Sequence, residues 1–164
     1  MEWLTRSGIG YDIHRLEPGR PLVLGGVRIE HPLGLTGHSD ADVVAHAIGD
    51  ALLGALGLGD LGRHFPPGDP ATLGISSLEL LRKVAALVAG AGAEIVHVDA
   101  TVIAEAPPLA LHASAMAAAL GGALGVKASK ISVKAKTNEG LDAVGRREAI
   151  AAQAVATVRQ PVGA

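Results

Sequence analysis

Residues 8–15 constrain the fold more than any other stretch. Ile9, Tyr11 and Ile13 alternate with Gly10, Asp12 and His14, which is the period of a β-strand, where residues two apart share a face. Asp12 and His14 can therefore point at the same spot, and Gly8 and Gly10 leave room for foreign backbone to come close.

A second stretch answers the first. The spacing predicts a helix over 36–55, capped by Ser39 or Asp40, with Val44, Ala47, Ile48, Ala51 and Leu52 on its apolar stripe. Asp42, His46 and Asp50 fall four apart on a neighbouring face, so an imidazole sits between two carboxylates, an arrangement that can fix a histidine tautomer or help it hold a metal. Any one of these acids is more often a solvated polar position. Asp-x-His on a strand together with His46 on a helix makes three ligands and points to a metal centre. From the residues alone, two other readings stand beside a catalytic metal. One is a non-catalytic metal-binding oligomer whose shell Asp42 or Asp50 closes; the other is a zinc hydrolase.

Further along, residues 21–29 read as two short strands joined at Gly25-Gly26. Residues 57–70 form a long Gly/Pro loop of the kind that is usually functional. A helix is predicted over 76–89, with Ser76 or Ser77 near its cap and Gly90-Ala91-Gly92 as its stop. Over 94–104, Val96, Val98, Ala100, Val102 and Ala104 form a small apolar face, and Ile95, His97, Asp99, Thr101 and Ile103 a mixed one. A small-residue helix follows Pro107 and Pro108, then a strand over 130–137 with one polar face. A closing helix is predicted over 146–158, with Ile150, Ala151, Ala154, Val155 and Val158 inward. This order implies an α+β fold, a mixed sheet with helices on one face plus a β-hairpin. The other sheet face needs a cover, and self-association is expected to supply it.

Composition narrows the function. The 164 residues, 49% hydrophobic, suffice for one well-buried domain. A net charge of −2 and 2% aromatic residues supply neither a basic footprint nor stacking surfaces, which argues against nucleic acid. With no cysteine, any zinc must be held through nitrogen and oxygen, as suits a cytoplasmic enzyme. The run from Met1 to Arg6 lacks the apolar core of an export signal. The nearly uncharged stretch 109–126 is too rich in Ala and Gly, and too interrupted by His112, Ser114 and Gly121-Gly122, for a membrane span.

Taken together, Tyr11 to Arg15, Gly37 to Asp42 with His46, Gly59-Asp60-Leu61-Gly62 before Phe65-Pro66, Ala106-Pro107, and Lys134 to Glu139 followed by Gly145-Arg146 resemble the 2-C-methyl-D-erythritol 2,4-cyclodiphosphate synthase family. The motifs run in the family's order over nearly the whole chain. The resemblance implies one synthase domain over 1–164. It also implies a homotrimer whose sheets pack around a threefold axis, with sites between subunits. The implied reaction is metal-dependent cyclisation of 4-diphosphocytidyl-2-C-methyl-D-erythritol 2-phosphate with release of CMP, a step of non-mevalonate isoprenoid synthesis.

By the same resemblance, Asp12, His14 and His46 match zinc ligands with a fourth position open to a phosphate oxygen. Glu139 matches the ligand of a second ion, magnesium or manganese. His38 and Ser39 match residues near the phosphate and erythritol end, and Asp60, Leu61 and Gly62 line the sugar-alcohol pocket. Ala104, Pro107, Leu109, Ala135, Lys136 and Thr137 match the cytidine pocket, with Thr137 also among the catalytic positions. Arg146 matches a residue at the central cavity of the trimer. The chain departs from the family pattern at Pro67, where an acid is usual, at Pro108, where a lysine is usual, and at Asp142-Ala143, which replaces a Gly-aromatic pair. Asp69 is expected to keep a carboxylate near the substrate, and backbone groups are expected to read the cytosine beside Pro108.

Overall fold

A computed structural model describes residues 2–163, so that Met1 of the N-terminal run lies outside the described residues. Its strands are β1 (Trp3–Pro18), β2 (Leu22–Leu24), β3 (Val27–Ile29), β4 (Leu33–Leu35), β5 (Glu94–Ile103), β6 (Ile131–Lys136) and β7 (Ala149–Pro161). The helices are α1 (Val43–Ala55), α2 (Leu61–His64), α3 (Ser77–Gly90), α4 (Ala113–Leu124) and α5 (Asp142–Gly145). Five strands form a mixed sheet in the order β4-β1-β7-β5-β6, antiparallel throughout except for the parallel β5 and β6; β2 and β3 form a separate hairpin. The expected α+β class and hairpin are both present.

The even positions of β1 face α1. A Cβ added at Gly8 would lie 2.1 Å from the Ala51 carbonyl oxygen, and one at Gly10 would lie 1.8 Å from that of Ala47. The helix backbone therefore rests directly on the strand backbone, which only glycine permits. Val43, Val44, Ala47, Ile48, Ala51 and Leu52 are wholly buried along this contact and join the main core.

Helix α1 starts at Val43, later than the sequence suggests, and its cap is Asp42 rather than Ser39 or Asp40. Asp42 is fully buried. Its Oδ1 accepts the N–H groups of Gly25 (2.8 Å), Val44 (3.1 Å) and Ala45 (3.1 Å), and its Oδ2 accepts that of Gly26 (2.7 Å). Gly25 and Gly26 have φ of 57° and 75°, the left-handed pair of a tight hairpin turn. One carboxylate thus caps the helix and holds the β2–β3 turn against it.

The closing segment is a strand, and this corrects the helix predicted over 146–158. Ala149–Pro161 lies in the middle of the sheet between β1 and β5. From Ala152 to Arg159 its burial alternates, with Ala152, Ala154, Ala156 and Val158 inside. Ile150, Ala154 and Val158 are four apart, a spacing that satisfies both a helical stripe and one strand face. The face of β5 also differs near its start. A bulge between Ile95 and His97 shifts the phase, so Ile95 is buried and Val96 is exposed, and the alternation is as expected only from Val98 onward.

The helix read over 76–89 is α3, capped by Ser76, whose side chain accepts the N–H of Leu78. The small-residue stretch forms α4, and among the described residues no helix is long and apolar enough to cross a membrane. Helices α1, α3 and α4 cover one sheet face. The other face carries Ile9, Tyr11, Ile13 and Val155 at 74%, 53%, 42% and 47% exposure.

The contact between α1 and β1 is testable at two glycines. Gly10→Ala should destabilise the fold by about 3 kcal/mol or more in urea unfolding, because backbone must move to admit the methyl. Gly54→Ala, exposed on α1 with its nearest neighbour 3.9 Å from the added Cβ, should instead stabilise by roughly 0.5–1 kcal/mol.

Candidate metal centre and active site

The approach of α1 to β1 brings His46 over Asp12. His46 Nδ1 lies 3.0 Å from Asp12 Oδ2, and His14 Nε2 lies 3.1 Å from the same oxygen. One ligand atom from each of the three residues falls within 4.8 Å of the others, and among the described residues no other group of acids and histidines does this. The three side chains are partly buried, at 16–24% exposure.

The hydrogen bonds show what the centre is built to hold. His14 Nδ1 is 2.6 Å from the carbonyl oxygen of Thr36. A carbonyl only accepts, so Nδ1 carries a proton. In the neutral ring Nε2 then presents a lone pair to the carboxylate oxygen 3.1 Å away, which is repulsive unless a cation stands between them. Two imidazoles and a carboxylate are the donor set of a divalent transition metal, and zinc is among the ions that accept it. The residues present fit such an ion.

In the metal-free protein a proton takes the place of that cation. Burial pushes the Asp12 carboxyl up, but hydrogen bonds from His14 and His46, with their charges, outweigh it and hold the group down to about 2. His14 is raised above 6.5, chiefly by its hydrogen bond with Asp12, against the opposing effect of burial. Asp50 is also raised, first by burial and then by the charges of Asp60 and Asp12, while the N–H of Leu61 at 2.8 Å opposes the shift.

Neither Asp42 nor Asp50 flanks His46 as the four-residue spacing suggests. Asp42 is turned away to cap α1, and Asp50 holds the N–H of Leu61. Nε2 of His46 instead meets Ser77 Oγ at 2.9 Å and Ser39 Oγ at 3.2 Å. Ser77 was expected only near a helix cap, and nothing in its spacing from His46 marks it as a partner.

The triad opens into a cavity of about 330 Å³ that also contains His38, Ser39, Asp50, Asp60, Leu61, Gly62, Phe65, Pro66, Asp69 and Thr72. Asp60 caps α2 by accepting the Arg63 N–H at 2.9 Å, and Asp69 accepts that of Ala71 at 2.9 Å. Asp69, two residues past Pro67, is on the cavity wall. Thr72, Leu73, Ile75 and Leu80 line it as well; as ordinary apolar or loop residues they carry no signal of the role in the sequence.

Of the other expected residues, Ala104, Ala135, Lys136 and Thr137 form a second cluster, and Leu109 is buried in the main core. Ala104 donates its N–H to the Lys136 carbonyl at 2.9 Å, so Ala104 and the β6 end with Ala135, Lys136 and Thr137 are neighbours. Glu105 Oε1 accepts the N–H groups of Asn138 (2.8 Å) and Gly140 (3.2 Å), shaping the loop that carries Glu139, whose φ is 53°. None of Ala104, Pro107, Leu109, Ala135, Lys136, Thr137 and Glu139 lines the cavity of the triad. Arg146 is exposed and paired with Glu148 at 2.9 Å.

Metal-free protein should show the triad's charge in its pH dependence. The raised His14 contributes stability fully below 6.5 and loses it as pH climbs through its raised value; the depressed Asp12 contributes above 3.8 and loses it as pH falls toward about 2. In chelator, thermal unfolding should therefore show the triad's contribution between roughly pH 4 and 6.5 and its loss in alkali. Asp12→Asn should flatten that difference, which scans of both proteins across this range would check.

The comparisons with known proteins follow the same outline. The model of the YgbB family matches residues 5–159. The 2-C-methyl-D-erythritol 2,4-cyclodiphosphate synthase of Symbiobacterium thermophilum is 57% identical over 151 residues, which cover 92% of this chain and 96% of that protein. Among solved structures, the bifunctional IspDF of Campylobacter jejuni is similar with a TM-score of 0.93 and 36% identity, over 98% of this chain and 43% of that one. The CDP complex of IspF from Plasmodium falciparum gives a TM-score of 0.82 and 34% identity, over 94% of this chain and 95% of that one. With the family model and a relative of more than half identical residues both spanning almost the full length, the chain belongs to the YgbB family.

Proposed function

We propose that the Asp12, His14 and His46 centre and its cavity hold the reacting end of 4-diphosphocytidyl-2-C-methyl-D-erythritol 2-phosphate while it cyclises to 2-C-methyl-D-erythritol 2,4-cyclodiphosphate. The chain is an enzyme, a phosphorus-oxygen lyase of non-mevalonate isoprenoid synthesis that releases CMP. The observation that carries the reading is the convergence of three ligand atoms within 4.8 Å at the mouth of a cavity large enough for a phosphorylated sugar alcohol.

An oxygen of the substrate's 2-phosphate attacks the β-phosphorus. The bond from that phosphorus to the oxygen bridging it to the α-phosphate breaks, and CMP leaves with the electron pair. The protein need supply no nucleophile. Its task is to fold one flexible molecule on itself and to offset crowded negative charge. Bound at the triad, a divalent ion supplies positive charge to the phosphate oxygens; zinc suits these ligands, and magnesium or manganese suits Glu139. His38 and Ser39 sit beside the triad for phosphate contacts. Asp60 and Asp69 each commit Oδ1 to a backbone amide, and the other oxygen is left to accept a hydroxyl of the erythritol. Leu61, Phe65 and Leu80 exclude water. The cluster of Ala104, Pro107, Leu109, Ala135, Lys136 and Thr137 takes the cytidine, in keeping with the CDP bound by the Plasmodium falciparum relative.

The reading includes a homotrimer. The second cluster does not line the cavity of the triad, and Ile9, Tyr11, Ile13 and Val155 leave an apolar sheet face open. Three copies packed by that face bring the triad of one subunit to the cytidine cluster and Glu139 of the next. Arg146, exposed and paired with Glu148, is the residue that this reading turns toward the axis. Residues 1–164 act as one such domain.

His46→Ala should retain its fold, lose the bound transition metal and lower CMP release by about 100-fold or more. Metal analysis of the purified variant and an assay of CMP release check this, and an active variant with its full complement of metal would refute the reading. Glu139→Ala should keep the triad's metal and lose the response to magnesium or manganese.

Shared sites have a sharper consequence. Refolding equal amounts of His46→Ala and Glu139→Ala together makes about three-quarters of the rings mixed, each with one intact junction in three, so about a quarter of parental activity should return. Absence of recovery after verified subunit exchange would show that each chain holds a complete site.

A further inference from the structure

We propose that Ser77, held by Asp40, is a positioning residue of the metal centre: it accepts the Nε2 proton of His46 and thereby commits Nδ1 of that ring to the metal. The inference deepens the reading above and rests on the triad being a metal site.

The argument is a count of protons. Ser77 is wholly buried. Its Oγ contacts two groups, a carboxylate oxygen of Asp40 and Nε2 of His46 at 2.9 Å. The hydroxyl has one proton to give. Asp40 also accepts the backbone N–H groups of Ser77 (3.0 Å) and Asp42 (3.2 Å), so its oxygens face donors only, the environment of an ionised carboxylate. An ionised carboxylate cannot donate, so the serine proton goes to Asp40. The contact between Ser77 and His46 is then a hydrogen bond only if Nε2 is the donor. Ser39 Oγ, 3.2 Å from the same nitrogen, is a second acceptor for that proton. With Nε2 protonated, the lone pair of the neutral ring is on Nδ1, the atom 3.0 Å from Asp12 Oδ2.

The centre therefore has two histidines set in opposite senses. His14 is protonated on Nδ1 by the demand of the Thr36 carbonyl and offers Nε2, whereas His46 is protonated on Nε2 and offers Nδ1. Each ring has its tautomer dictated from outside the triad, and both free lone pairs converge on one place. Without Ser77 only the longer contact with Ser39, at 3.2 Å, holds the Nε2 proton, so the imidazole of His46 takes the other tautomer or turns more often and part of the ligand population is then wrong. Asp40 acts one step further out by turning the serine hydroxyl into an acceptor for the ring.

The test uses zinc-loaded parent, Asp12→Ala and Ser77→Ala, with affinity read by competition against a chromophoric chelator. Zinc bound by the parent and lost in Asp12→Ala identifies the triad as its site. Ser77→Ala should then bind roughly 10–100-fold more weakly, the usual cost of losing such an outer partner. A serine that merely packs would change the unfolding temperature of the metal-free protein and leave zinc affinity within about twofold of the parent, and that result would overturn the proposal. Independently of whether the variant folds, long-range proton–nitrogen NMR of the zinc-loaded parent should show His46 protonated on Nε2 and ligated through Nδ1. Ligation through Nε2, or a proton on Nδ1, would overturn it. A parent that binds no zinc at the triad would overturn the metal-centre reading itself.

Discussion

Where Gly10 passes beneath Ala47, a single added methyl group would reach to 1.8 Å from the helix carbonyl, and this contact sets the height of α1 above the sheet. His46 immediately precedes Ala47 in that helix. Its ring meets Asp12 at 3.0 Å because no side chain separates the two backbones where they cross. A helix resting on alanines or valines would stand higher, and the imidazole would fall short of the carboxylate. The small residues of β7, Ala152, Ala154 and Ala156, extend the same low surface under the helix. The glycines and alanines of the inner face are thus part of the metal centre although none of them is a ligand.

Height alone does not aim a ring. Asp42 fixes where α1 begins by accepting four backbone N–H groups, two of them from the β2–β3 turn. Burial pushes this carboxyl up to about 6, and the amides pull it the other way. Losing it would leave four donors inside the fold without partners, each costly. Asp40, two residues earlier, ties the start of α3 to the same corner through Ser77. Two carboxylates close together in sequence therefore fix where α1, which carries His46, and α3, which packs beside it, begin, and neither of them touches the triad.

Much of this was legible in the sequence, and the parts that were not share a physical cause. The alternation over 8–15 gave β1 and its ligand face, and the glycines were correctly read as points of close approach. The family motifs were sufficiently specific to name the reaction. The closing strand reads as a helix because alanine favours helices and because Ile150, Ala154 and Val158 fit both periods. The odd residues Gln153, Val155, Thr157 and Arg159, more polar and more exposed, carried the deciding strand signal. Counting four residues back from His46 sets Asp42 on the helix face beside it. A cap residue has extended backbone, here ψ 95°, so its side chain leaves the helical line. Ser77 lies 31 positions from His46 and Thr36 lies 22 from His14. Contacts of that range depend on how helices pack, and no local pattern encodes them.

The register of the sheet shows how far apart one chain holds the triad and the cluster proposed for the cytidine. Asp12 pairs with Ala152, Ala152 with Val102, and Val102 with Ala135, so the triad and the β6 cluster occupy one row at the same end of the sheet. Three strand spacings separate Asp12 from Ala135, about 14 Å at the usual spacing. The row between them is filled with small apolar residues that belong to the core, Ala152 and Val102 both being fully buried. A substrate cannot lie along that row without unpacking the helices above it. The cavity of the triad is accordingly lined by the segment that follows α1, with Asp60 and Asp69, and by no residue of β6. On the proposed reading of a shared site, the triad and the β6 cluster act on one molecule only where another copy supplies the missing half, and the exposed Ile9, Tyr11, Ile13 and Val155 of β1 and β7 mark the face proposed for that copy.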